Sequence, residues 1–143
     1  VPPQAPEFEE AVLGAILMEY NAYTTVQSIL RPSDFYLEVH KEIYQAIVDL
    51  RKDNKPSDVR HVTTHLKKTG KLELVGGMYY LASLTQKVIN SATIESDALY
   101  IKEQALRREA IKIAHQIQSD SFDDTKDVLS LLDSFRDQFE QLK

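Results

Sequence analysis

The chain has 143 residues, 43% hydrophobic and 27% charged, so it carries enough apolar material for a core and is not globally disordered. It has no cysteine, which excludes a disulfide framework, thiol catalysis and cysteine–zinc sites. Its 17 basic and 22 acidic residues give a net charge of −5, against a uniformly nucleic-acid-coating surface, and its 4 glycines argue against a turn-rich all-β fold.

The hydrophobic spacing is helical nearly throughout. A first helix is predicted over 7–19, with Phe8, Val12, Ala15 and Ile16 on one stripe, widened by Leu13 and Leu17. Pro6 suits its first turn, and Glu7, Glu9 and Glu10 complement the positive end of the helix dipole. Gly14 inside a helix costs up to ~1 kcal/mol relative to alanine, which suggests a close helix crossing. Asn21 caps a short second helix carrying Tyr23, Val26, Ile29 and Leu30, ended by Pro32. Ser33-Asp34 is a turn and cap signal.

A third helix is predicted over 38–53 and a fourth over 58–69, the latter presenting Val59, Val62 and Leu66 before Gly70 as a left-handed C-terminal cap. Gly76-Gly77 frees the backbone for a sharp turn into a fifth helix over 77–86. Val88–Ser91 reads as a loop, with Ser91 as an N-cap.

Two long helices close the chain. The sixth, over 92–119, is apolar on two faces: Ile94, Ala98, Ile101 and Ala105 on one, Leu99, Leu106, Ala110, Ile113 and Ile117 on the other. Ile111 points in a third direction. The seventh, over 126–143, places Val128, Leu132, Phe135, Phe139 and Leu142 at heptad spacing. A short connection between long helices implies an antiparallel hairpin. The expected fold is therefore all-α: a compact head of about five helices over 1–90, then a helical hairpin over 91–143.

Catalytic signals are weak. Gly70-Lys71-Leu72 lacks both the upstream glycine and the hydroxyl residue of a phosphate loop. His61 and His65 share a helix face at metal-site spacing, but Val62 stands where a metalloprotease needs glutamate and no third ligand is marked. Glu9 and Glu10 are consecutive on a helix and do not face each other. No catalytic, cofactor-binding or metal-binding residue is expected.

Charge is uneven. Residues 51–71 carry seven bases (Arg51, Lys52, Lys55, Arg60, Lys67, Lys68, Lys71) against Asp53 and Asp58. This stretch reads either as a solvated helix face or as a phosphate-binding surface of a small helical nucleic-acid-binding regulator. No apolar run approaches the ~18 residues that span a membrane. The start at Val1 and the helical pattern running to Lys143 lead us to expect a fragment of a longer cytoplasmic protein.

Several motifs, in order along the chain, resemble the N-terminal domain of DnaB-type bacterial replicative DNA helicases. They are Pro2-Pro3-Gln4, Glu7, Glu10–Ala15, Asp34-Phe35-Tyr36 with His40, Ile43 and Tyr44, Gly70-Lys71-Leu72, Val75-Gly76-Gly77 with Tyr80-Leu81, Ser91-Ala92 with Ile94, and Arg107-Arg108 with Ile111. The chain departs from the common family pattern at Thr93, Ser96 and Asp97. The resemblance implies a head and hairpin, with hairpins pairing between subunits into a trimer-of-dimers collar. It implies primase docking on that collar, DNA contact mainly through the parent hexamer, and ATP and magnesium only in a motor domain absent here. On this reading the self-association candidates are Ile94, Ala98, Ile101, Leu106, Ile113, Phe135 and Phe139. The candidates for primase docking are Glu7, Tyr80, Ile111 and Ile117, with Tyr80 either an exposed anchor or a core-rim tyrosine whose hydroxyl is hydrogen-bonded.

Overall fold

Apolar residues at spacings of three and four, broken by Pro32, Pro56 and the Gly76-Gly77 pair, leave the chain little choice but short helices joined by tight turns. The computed structural model describes residues 1–88 and 91–143. It contains α1 (Pro6–Met18), α2 (Ala22–Val26), α3 (Glu38–Lys52), α4 (Val59–Lys68), α5 (Gly77–Leu84), α6 (Ile94–Ser121) and α7 (Val128–Leu142). Single 3₁₀ turns lie at Pro32–Asp34, Thr85–Lys87 and Ser91–Thr93, and no strand occurs among the described residues. The expected loop over Val88–Ser91 includes Ile89 and Asn90, which lie outside the described residues.

The termini follow from cap chemistry. Pro6 opens α1, where a missing N–H costs nothing. Asp58 caps α4 by accepting the His61 N–H at 3.0 Å, and Asp127 caps α7 by accepting the Ser130 N–H at 3.0 Å. Gly70 ends α4 at φ +74°, while the Lys71 N–H reaches back to the Leu66 carbonyl at 2.8 Å. Asn21 stands at the N-cap of α2 without the expected side-chain bond.

Backbone contacts divide the chain into two units, Gln4–Lys102 and Glu103–Lys143 with Val1–Pro3. The division falls inside α6, beyond the loop near residue 90, because the first turns of α6 belong to the head. Ile94, Ala98 and Ile101 join Val12, Leu13, Ile16, Ile43, Ile47 and Leu81 in one buried cluster. Each fully buried aliphatic side chain of this kind contributes about 1.5–3 kcal/mol. Lys102 closes the same unit by an ion pair with the buried Asp34, at 3.1 Å to both carboxylate oxygens.

Gly14 marks a close approach, as its position implied. A Cβ there would lie 2.1 Å from the Leu84 carbonyl oxygen at the end of α5. Phe8 departs from the predicted stripe: it is 37% exposed, and Glu9 takes the inward position at 0%. Phe8 instead packs on Tyr100 of α6, ring centroids 4.6 Å apart.

In the second unit, Ile113 and Phe135 are the buried apolar anchors, at 8% and 7% exposure, together with Ala105. The turn between α6 and α7 is closed by Lys126 Nζ on Asp120 at 2.7 Å. The heptad seam predicted for α7 is rotated. The inward positions are Leu131, Phe135, Gln138 and Leu142, whereas Val128, Leu132 and Phe139 are exposed.

A candidate docking surface

The first turn of α1 forms one side of a groove of about 490 Å³. Its apolar floor includes Phe8, Ala15, Val88 and Ile94, and its rim carries Glu7, Glu10 and Asp97 against a single cation, Lys87. Glu7 and Glu10 stand three apart on α1 and so share a face. An apolar floor with an acidic rim is the make-up of a protein-docking groove, in which apolar contact supplies affinity and charge fixes register.

Behind this rim lies a polar network that the sequence reading missed. Glu9 of α1 is wholly buried and meets His40 Nδ1 of α3 at 2.7 Å. Its other oxygen accepts the Tyr36 N–H at 2.7 Å. The Leu37 N–H approaches Oε1 at 3.5 Å, the outer limit of a hydrogen bond. His40 Nε2 meets the Tyr80 hydroxyl of α5 at 2.7 Å. With the carboxylate as acceptor, Nδ1 donates to Glu9 and Nε2 meets the Tyr80 hydroxyl, so both ring nitrogens are engaged. Burial pushes the Tyr80 phenol pKa up, and the charges of Glu10 and Glu9 push it the same way. A buried carboxylate left unpaired would cost several kcal/mol, which is why it appears with both a histidine and backbone donors.

Tyr80 is half-buried and bonded through its hydroxyl, as the core-rim reading describes; its neighbour Tyr79 is the outward one, 90% exposed. The signal was present in the sequence. Glu9 precedes Val12 and Ile16 by three and seven, and His40 precedes Ile43 and Ile47 by three and seven. An ionisable group on each of two buried stripes points to the two meeting.

The remaining candidates divide by environment. Ile94, Ala98 and Ile101 are buried in the head core, and Ile94 also floors the groove. Ile113 and Phe135 are buried in the hairpin unit; Leu106 and Ile117 are half-buried. Ile111 and Phe139 are exposed, at 46% and 39%. Leu132, placed on the heptad seam, and Leu129 were not among the self-association candidates, yet they are 56% and 69% exposed on α7. Three and ten residues separate Leu129 from Leu132 and Phe139, so the three form one apolar stripe along α7.

His61 and His65 do not converge on a metal. His61 Nδ1 pairs with Asp58 at 2.5 Å, and His65 Nε2 with Asp49 at 3.4 Å. No group of three or more metal-ligating side chains occurs among the described residues, and none of their helices is long and apolar enough to cross a membrane.

A family model described as the DnaB-like helicase N terminal domain matches residues 1–103. The chain is 41% identical over 133 residues to the replicative DNA helicase DnaB of Rhodothermus marinus, covering 93% of this chain and 14% of the relative. It is 38% identical over 133 residues to the replicative DNA helicase DnaC of Bacillus subtilis (strain 168), covering 91% and 29%. The chain therefore spans less than a third of the length of these curated relatives. Its fold matches the crystal structure of the N-terminal domain of DnaB helicase from Mycobacterium tuberculosis, with TM-score 0.92, 29% identity and full coverage of both chains. It also matches a DnaB-like replicative helicase described with its interactions with primase, with TM-score 0.78 and 26% identity, over 97% of this chain and 32% of that one. A buried Glu9–His40–Tyr80 row, a Gly14 crossing and a helical hairpin are thus the features of a chain that belongs to the DnaB-like helicase N-terminal domain family.

Proposed function

We propose that this chain is the non-catalytic assembly and docking domain of a replicative DNA helicase. Hairpins pair between subunits and build a collar, and the collar receives primase during DNA replication in the cytoplasm. ATP and magnesium chemistry, and the main grip on DNA, belong to the motor of the parent hexamer. The observation that carries this reading is the apolar stripe Leu129, Leu132 and Phe139, exposed on the same helix that buries Phe135. An exposed apolar row on an amphipathic hairpin is a surface that expects a partner. Among the family-implied docking residues, Glu7 stands on the rim of the groove, and Ile111 and Ile117 stand on α6.

Light scattering across a concentration series tests the assembly step: the mass should rise with concentration in the parent chain, and Leu132→Asp should hold it at the monomer value with the helical signal intact. A monomer at every concentration removes the isolated-domain form of the claim. For docking, calorimetry with the helicase-binding domain of the cognate primase should show that Glu7→Ala weakens binding and leaves the fold unchanged.

A further inference from the structure

Of the seven bases in 51–71, the structure ties down two. Arg51 lies over the Tyr20 ring at 3.7 Å and donates to the Tyr20 carbonyl at 2.8 Å. Lys71 pairs with Glu42 at 2.8 Å. The other five, Lys52, Lys55, Arg60, Lys67 and Lys68, are exposed and have no ion-pair partner among the described residues. Lys55, Arg60 and Lys68 converge on one concavity of about 270 Å³ at the turn between α3 and α4. Its remaining lining includes His61, Thr64 and His65, and no acid lines it. Arg60, Thr64 and Lys68 recur every fourth residue, so α4 presents them as one stripe facing away from its buried Val62 and Leu66. Of the nearby carboxylates, Asp58 pairs with His61 and Asp49 with His65, and Asp53, just past the end of α3, is not part of the lining.

We infer that this concavity is a phosphate-binding site whose ligand is the backbone of a nucleic acid. The chemistry is that of an anion: a guanidinium forks onto phosphate oxygens, two ammonium groups add charge, and the lining itself holds no acid. The polymer is favoured over a free ion because positive charge continues beyond the cavity, through Lys52 at the end of α3 and Lys67 on α4. The acid excess of the chain lies elsewhere, in the first twenty residues and in 119–143. The inference goes beyond assembly and docking and stands on the α3–α4 turn alone.

Fluorescence anisotropy of labelled oligothymidylate tests it with the chain as it stands. Binding should saturate at about 50 mM salt and weaken steeply by about 200 mM. Replacing Lys55, Arg60 and Lys68 together by glutamine should weaken it at least tenfold and lower the salt slope by about 2, the value for three single-strand phosphate contacts. Lys87→Gln, in the groove beside α1, should change neither. These side chains are exposed, and an unchanged helical signal and unfolding midpoint would show that the triple variant is folded. Equal binding by the parent and the triple variant, or no saturable binding at low salt, overturns the site. Inorganic pyrophosphate binding as tightly as the oligonucleotide overturns the nucleic-acid assignment.

Discussion

Glu9 and His40 lie 31 residues apart in sequence and 2.7 Å apart in the fold, both wholly enclosed. The pair does local work as well. No side chain within α3 or at its N-cap closes the start of that helix, and it is the Glu9 carboxylate, from α1, that receives the Tyr36 N–H just ahead of it. One side chain therefore joins two helices and holds the backbone just ahead of one of them.

Glu9→Leu should lower stability by about 3 kcal/mol or more in urea titration, because it strands His40 and backbone donors in the core. Glu10→Leu, one position along on the groove rim, should change it by less than about 0.5 kcal/mol, as for an ordinary surface substitution. Similar losses for the two variants would contradict the assigned burial.

Tyr80→Phe keeps the ring and removes the hydroxyl, leaving His40 Nε2 without its partner. We expect a loss of about 1–2 kcal/mol. Tyr79→Ala, at the exposed neighbour, should be nearly neutral. Weakened primase binding in a Tyr80 variant therefore needs a stability measurement beside it. Tyr79 is the cleaner probe of an aromatic anchor after the glycine turn.

Gly14→Ala should destabilise the chain, although alanine gains up to ~1 kcal/mol of helix propensity. The new methyl would stand 2.1 Å from the Leu84 carbonyl oxygen, a backbone atom that can yield only by moving α5. A raised thermal midpoint in Gly14→Ala would mean that the crossing is looser than described.

Asp58 links α4 to pH. Partial desolvation raises its carboxyl pKa, but the His61 N–H, side chain and charge outweigh that, and the net value lies below the ordinary 3.8. The folded pKa is thus depressed relative to the unfolded one. The cap's contribution is present above the unfolded value and is lost as pH falls through the folded one. Asp58→Ala should cost about 1 kcal/mol near neutrality, and the difference from the parent should vanish in acid. A difference that persists below about pH 2 would assign the loss to packing instead, since the carboxyl is protonated below both pKa values.

Phe135→Ala and Leu132→Asp should separate fold from assembly in the hairpin. Phe135 is 7% exposed, and truncating a buried phenylalanine costs about 3–5 kcal/mol. Leu132, at 56% exposure, should tolerate the charge, and only the mass of the assembly should fall. Circular dichroism with sedimentation velocity distinguishes the two outcomes.

Seven helices, their order and most boundaries were legible because proline, glycine and apolar spacing act locally. The Gly14 crossing was legible for a similar reason: glycine inside a helix asks for an explanation. What escaped was rotation about the helix axis. Phe8 and Glu9 differ by one position, about 100° on a helix, and hydrophobicity alone assigned the inward place to Phe8. The carboxylate won it because His40 and two backbone N–H groups wait there. The same ambiguity turned the α7 seam: Val128, Leu132 and Phe139 form as regular a series as Leu131, Phe135 and Leu142, and only the neighbouring helix decides which faces in. On α6 periodicity showed two apolar faces, but not that Ile94, Ala98 and Ile101 belong to the head.

The long-range bond also bears on folding. A helix capped by its own residues, as α4 is by Asp58, fixes its start locally, on the sub-microsecond timescale of helix growth. The entry to α3 is held instead from 27 residues upstream, the separation between Tyr36 and Glu9. A peptide spanning only α3 and α4 should fray at Glu38 and hold firm at Asp58, where the cap is local. Trimming the chain past Pro6–Glu9 would accordingly damage more than α1: it would loosen the entry to α3 and strip His40 of its Nδ1 partner.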